Sequence, residues 1–170
     1  GGGVAVGGEG VVYLGDGPWL GYQDDPEKAA EAYNERGWST LGDIGRVDED
    51  GFLYLTDRQS NMIISGGVNV YPQEAENVLA SHPDIYDVAV IGIPNEDFGE
   101  EVKAVVQVMD GVETSDETAG ALIAYCRERL ADIKCPRSVD FVDELPRLPT
   151  GKLPKRLLKD KYWEGHGSRI

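Results

Sequence analysis

Asp57 marks a change of pattern in the sequence, and that change sets the architecture. Beyond it the chain alternates: a strand is expected over 62–64, a helix over 72–80, and strands over 87–93 and 102–109. Alternating elements bury their apolar faces by packing helices on a sheet, which implies a mixed α+β domain from residue 58 onward. The clearest helix begins at Thr114, where the Thr114 hydroxyl and the Glu117 carboxylate have capping-box spacing. Ala119, Leu122, Ile123, Cys126 and Leu130 then form one apolar stripe, which reads as core. A last strand over 138–142, a loop over 146–154 and a basic helix over 155–163 complete this part.

Residues 1–57 read as mostly β, with little core of their own. A strand is expected over 11–14, followed by the turn Gly15-Asp16-Gly17-Pro18. Asp25 before Pro26 resembles a helix cap with proline at the first helical position, and an exposed helix over 27–36 ends at Gly37. Asp48-Glu49-Asp50-Gly51 joins strands over 44–47 and 52–55, and a second strand pair flanks Ser65-Gly66-Gly67.

Charge narrows the function. The chain has 170 residues and a net charge of −15, which disfavours nucleic acid and anionic membranes, because both are bound mainly through cationic side chains. The charge is uneven: residues 1–126 carry 5 basic and 24 acidic side chains, whereas residues 127–170 carry 11 and 7. A basic tail on an acidic body is either a solvated face or a local anion site. No run approaches the roughly 20 apolar residues of a transmembrane helix, and no signal-peptide pattern is present, so a cytoplasmic protein is expected. Cys126 and Cys135 have no metal-ligand spacing, so no metal site is expected and both read as plain thiols.

The loop Pro146-Arg147-Leu148-Pro149-Thr150-Gly151-Lys152 places a lysine after a glycine, just ahead of a helix. A lysine held this way can present a point charge to a phosphate or carboxylate. It is not the phosphate loop of nucleotide-binding proteins, because Pro146 stands where that motif needs glycine and Leu153 where it needs Ser or Thr. Two further features accompany it. Gly37-Trp38-Ser39-Thr40-Leu41-Gly42-Asp43 puts an Asp after a glycine turn, and the segment from Thr56 to Pro72 carries Asp57-Arg58, Met62-Ile63-Ile64-Ser65-Gly66-Gly67 and Asn69-Val70-Tyr71-Pro72. A carboxylate and a guanidinium of this kind can both hydrogen-bond a ribose diol.

In this order, with Glu74 and Glu76 following Pro72, these motifs resemble the adenylate-forming enzymes, and within them the AMP-forming acyl-CoA synthetases. The resemblance runs from about residue 10 to residue 158. It implies the α+β fold of that family's C-terminal domain, a small mixed sheet with flanking helices, over 58–170. Residues 1–57 would be the β-rich end of the N-terminal adenylation portion. It also implies two half-reactions: a carboxylic acid, most simply a fatty acid, and ATP give an acyl-adenylate and pyrophosphate, and the CoA thiol then displaces AMP.

By matching position, Lys152 would be catalytic, bridging carboxylate and α-phosphate oxygens, and Asp43 and Arg58 would bind the ribose of ATP. Ser60 would be the hinge about which the C-terminal domain rotates between half-reactions, although relatives often carry Asp or Lys there. Leu41 stands where Thr is common. Ser65, Gly66 and Gly67 would line the pantetheine tunnel, and Phe98, Lys134 and Arg137 would meet the CoA adenine and phosphates.

The family's phosphate loop, its acyl pocket and the glutamate that organises Mg2+ are not visible here, so the chain reads as a C-terminal fragment, inactive alone. Its partners would be ATP, CoA, a carboxylic acid and its own missing N-terminal portion, with a homodimer of the full enzyme as a candidate assembly. Two alternatives stay open: an adenylation unit loading a carrier-protein thiol, and a non-catalytic binding module of the same fold.

Overall fold

The computed structural model describes residues 3–15 and 26–166. The expected turn residues Asp16, Gly17 and Pro18 and the helix cap Asp25 lie outside the described residues. The chain divides into two compact units, Gly1–Ser60 and Asn61–Ile170.

The first unit is built on an antiparallel sheet ordered β1 (Glu9–Val11), β2 (Asp43–Val47), β3 (Leu53–Arg58). The β2–β3 hairpin forms where the acidic turn predicts it: the Asp48 carboxylate accepts the N–H groups of Asp50 and Phe52, and Gly51 takes φ +86°. These bonds, that from Phe52 foremost, hold the Asp48 carboxyl below its ordinary value. Two elements differ from expectation. Strand β1 ends at Val11, and Leu14 makes only an isolated bridge to Ser39. Helix α1 spans Pro26–Glu31 and stops short of Gly37, because the Asn34 side chain accepts the N–H groups of Arg36 and Trp38 and turns the backbone first.

The second unit is a mixed sheet covered on both faces. A tight hairpin of β4 (Ile63–Ser65) and β5 (Val68–Val70) leads into α2 (Pro72–Ala80), then β6 (Ile85–Asn95), β7 (Gly99–Val108), α3 (Asp116–Arg127), β8 (Ser138–Phe141) and α4 (Lys155–Trp163). Strand β6 pairs antiparallel with β7 along its length; on the other side of β7, β4 pairs at Gly99 and β8 runs parallel along Lys103–Val106. Side chains alternate across this sheet, so each face has its own core. Val88, Val90, Val102, Ala104 and Val106 pack with Ala75 and Leu79 of α2 and Leu122 and Cys126 of α3. Ala89, Ile91 and Val105 pack with Leu145 and with Leu158 of α4.

The helix caps show how local chemistry sets boundaries. Pro72 occupies the first turn of α2, as the sequence implies. In α3 the cap is Ser115 rather than Thr114: its hydroxyl accepts the Thr118 N–H at 3.2 Å, and the Thr118 hydroxyl donates to the Glu113 carbonyl. The expected Thr114–Glu117 capping box is therefore displaced by one residue.

The buried charged side chains Glu76, Lys103 and Lys159 each form an ion pair. Lys103 on β7 is buried; it donates to Asp140 of β8 at 2.5 Å, and Tyr162 of α4 donates to the same carboxylate at 2.6 Å. Burial pushes the Asp140 carboxyl up, but these hydrogen bonds outweigh it and leave it below its ordinary value. Tyr162 is pushed up, by burial first and then by Asp140. At the other edge of the sheet, Glu76 of α2 is buried, accepts the Val90 N–H of β6 at 2.7 Å and pairs with Lys155 of α4 at 2.7 Å. One carboxylate thus joins the helix of one face to the helix of the other.

Candidate functional site

In the first unit, Asp43 and Arg58 are cross-strand partners, and their side chains form an ion pair with Nε 3.3 Å from Oδ1. The turn before Asp43 is fixed by Thr40, a residue the sequence reading left without a role. Its hydroxyl donates to the Val12 carbonyl at 2.7 Å and accepts the Gly42 N–H at 3.0 Å. Gly42 takes φ +79°, a conformation that favours glycine, and its carbonyl accepts the Gln59 N–H at 2.7 Å. The pair remains accessible, with Arg58 more than half exposed. Ser60 is exposed in the short 3-10 turn Gln59–Asn61, at the last position of this unit.

In the second unit the structure brings Gly66, Phe98 and Arg137 together. Gly66 and Gly67 take φ +57° and +80°, forming the tight turn between β4 and β5. The Gly66 N–H donates to the Phe98 carbonyl at 2.8 Å, and a Cβ on Gly66 would stand 3.2 Å from the Phe98 ring. The guanidinium of Arg137 lies 4.2 Å from the centre of that ring, within cation–π range. Ser65 is buried beside the turn. Lys134 makes a different contact: its ammonium donates to both oxygens of Glu74 on α2, at 2.7 and 2.8 Å.

The lysine loop lies in the same unit. Lys152 is exposed, and its ammonium has no partner among the described residues. Its surroundings are tightly tied. The Leu148 N–H donates to the Lys152 carbonyl at 2.9 Å, the Gly151 N–H donates to the Leu148 carbonyl at 2.8 Å, and Gly151 takes φ +81°. Arg147 forms a two-bond fork on Asp87 of β6, Nε and Nη2 each 2.6 Å from a carboxylate oxygen, and its Nη1 donates to the Gly151 carbonyl at 2.7 Å. The hydrogen bonds from Arg147 hold the Asp87 carboxyl below its ordinary value, and Asp87 raises Arg147 in return.

The basic tail is thereby explained in part. Lys134, Arg147, Lys155 and Lys159 pair with Glu74, Asp87, Glu76 and Glu100, so part of its charge is spent within the fold. These pairs join positions up to 79 residues apart, and no local pattern announces them. Among the described residues no group of three or more His, Cys, Asp and Glu side chains gathers as metal ligands. Neither does any described helix have the length and apolarity to cross a membrane. Both cysteines are buried, and burial pushes the Cys126 thiol up to about 11.

Residues 74–152 match the family model of the AMP-binding enzyme C-terminal domain. The chain is 48% identical over 149 residues to 2-succinylbenzoate–CoA ligase of Geobacillus kaustophilus, covering 88% of this chain and 30% of that protein. It is 44% identical over 141 residues to the long-chain-fatty-acid–CoA ligase FadD13 of Mycobacterium tuberculosis, covering 83% and 27%. Among solved structures it resembles ATP-bound MatB from Rhodopseudomonas palustris, with a TM-score of 0.81 at 34% identity over 94% of this chain and 31% of that one. It also resembles the amide bond synthetase McbA from Marinactinospora thermotolerans, with a TM-score of 0.77 at 39% identity over 95% and 33%. The chain thus spans about a third of the length of the proteins it matches.

Proposed function

From the match of residues 74–152 to the AMP-binding enzyme C-terminal domain, we propose that the chain is the C-terminal portion of an ATP-dependent acyl-CoA synthetase. The full enzyme would convert a carboxylic acid, ATP and CoA to acyl-CoA, AMP and pyrophosphate through an acyl-adenylate. Lys152 carries the reading: it is a free, exposed cation at the end of an ordered loop whose neighbouring cations are paired. Two anions, a carboxylate and a triphosphate, must approach each other in the first step. A cation placed where their charges crowd stabilises that arrangement more than either reactant alone.

Asp43 and Arg58 would bind the ribose, one accepting from its hydroxyls and the other donating to them. Gly66, Gly67 and Ser65 would line the path of the CoA arm, and the Arg137–Phe98 stack would meet the CoA head group, with Lys134 nearby in sequence but already paired to Glu74. Ser60 would be the hinge; the division of the chain into units after this residue supports that role. The relatives named as CoA ligases act on quite different acids, which supports CoA as the acceptor and leaves a fatty acid as the simplest choice of substrate. The likeness to an amide bond synthetase supports a second reading, in which the same adenylate is passed to another nucleophile.

The test uses the full-length polypeptide that carries this chain, with a panel of carboxylic acids, ATP and CoA, beside its Lys152→Ala variant. Acid-dependent AMP and thioester are expected, and the variant should lose adenylate formation by roughly 10²- to 10³-fold, the usual effect of removing one charge-stabilising group. It should still convert supplied acyl-adenylate with CoA. Pyrophosphate without thioester would move the acceptor to an amine or a carrier-protein thiol, and no acid-dependent release at all would overturn the synthetase reading.

A further inference from the structure

The loop that ends in Lys152 is exposed from residue 147 to residue 152 and has no apolar anchor of its own along that stretch. What orders it is polar. All three nitrogens of the Arg147 guanidinium are engaged, two by Asp87 and the third by the carbonyl of Gly151, the residue directly before Lys152. Asp87 in turn sits in the long strand β6, paired across to Gln107, with its Oδ1 also accepting the Val88 N–H at 2.9 Å. A continuous line of hydrogen bonds therefore runs from the rigid sheet through Asp87 and Arg147 to the peptide group that carries Lys152.

The loop is fixed at its other ends as well. The Arg147 N–H donates to the carbonyl of Leu145, a fully buried residue. After Lys152, Leu153 packs on the Ala89–Ile91 core, and Lys155 pairs with the buried Glu76.

We propose that Arg147 and Asp87 are positioning residues for Lys152, holding its loop in the one conformation from which the ammonium can reach the reacting oxygens. The inference rests on the role given above to Lys152. Guanidinium geometry is essential to it, because one planar group must serve a carboxylate fork and a carbonyl at once; a lysine ammonium is a point charge on a flexible stem and cannot reproduce this. A loop so held loses little freedom when substrate arrives, and misplacement of a reacting group by about 1 Å costs on the order of 100-fold in rate.

The experiment compares Asp87→Asn, Arg147→Lys and Lys152→Ala in the full-length polypeptide. Four quantities are read: kcat and the KM for ATP in adenylate formation, the rate of thioester formation from supplied acyl-adenylate, the unfolding midpoint, and the rate of tryptic cleavage after Lys152. Asp87→Asn keeps the shape of the side chain and Arg147→Lys keeps the charge. Both are expected to lower the adenylation kcat by about 10- to 100-fold, with KM for ATP and the thioester step unchanged. Cleavage at the Lys152–Leu153 bond should quicken several-fold in Asp87→Asn and Arg147→Lys, while the unfolding midpoint falls by no more than the loss of one partly exposed ion pair.

If Lys152→Ala abolishes adenylation while Asp87→Asn and Arg147→Lys leave it intact, the positioning role is overturned and the role of Lys152 stands. If Lys152→Ala itself leaves adenylation intact, the reading on which the inference rests has failed. A rise in KM for ATP at constant kcat in Arg147→Lys would make Arg147 a nucleotide contact instead. Equal loss of both half-reactions together with a lowered midpoint would make the pair structural only.

Discussion

Asp43 and Arg58 stand opposite each other at the open end of the β2–β3 ladder, register partners whose side chains meet at 3.3 Å. Two groups that could hydrogen-bond a diol are thus held side by side by the strand register and by the Thr40-fixed turn that leads into Asp43. Asp43→Ala in the full-length polypeptide should therefore raise KM for ATP by roughly 10- to 150-fold, the equivalent of about 1.5–3 kcal/mol of charged hydrogen bonding. The unfolding midpoint should hardly move, since an exposed ion pair adds little to stability. An unchanged KM would remove the pair from the nucleotide site.

Helix α3 offers a direct comparison of two adjacent hydroxyls. Ser115→Ala removes the side chain that caps Thr118 and should destabilise the second unit by about 0.5–2 kcal/mol. Thr114→Ala touches no cap and should stay within about 0.5 kcal/mol of the parent. Chemical denaturation of both variants measures the difference, and a larger loss at Thr114 would reverse the assignment of the cap.

The Asp87–Arg147 fork adds an acid-sensitive part to stability. Asp87 has its native value held below the ordinary 3.8. Its stabilisation is therefore fully present above about 3.8 and is lost as the pH falls from there through the lowered native value. In Asp87→Asn that loss is absent, so the difference in unfolding midpoint between parent and variant should be widest near neutrality and shrink below pH 3.8. A difference that stays constant on acidification would show that the carboxylate is not held in this way.

Helices announced themselves in the sequence where a proline marked the start: α2 at Pro72–Ala80 and α4 at Lys155–Trp163 follow the expected spans. Strand ends were harder to read. Strands β6 and β7 run on to Asn95 and Gly99, beyond their apolar stretches, because the polar residues there still pair across the ladder. The parallel pairing of β8 with β7 leaves no local trace, since a strand's sequence does not say which neighbour it joins. The same holds for the site. Lys152, Asp43 and Arg58 stand out through their motifs, whereas the 60-residue separations of Glu74–Lys134 and Asp87–Arg147 hide those pairs completely. Read as a string, Lys134 is one more cation in a basic tail; folded, it neutralises a particular carboxylate.

Strand β6 ends the sheet, and it is also among the most apolar stretches of the chain. An unpaired edge of that kind would ordinarily invite a second molecule to add its own strand, the first step toward a fibril. Here α2 and α4 lie against it, and the Glu76 carboxylate already occupies the Val90 N–H that an incoming strand would need. Any intruder would have to displace a buried charge and strand Lys155 without its counterion. The ion pair that joins the two faces of the sheet therefore also covers a backbone group at the sheet's edge, and Glu76→Leu, although nearly matched in bulk, should show more light scattering than the parent on mild heating.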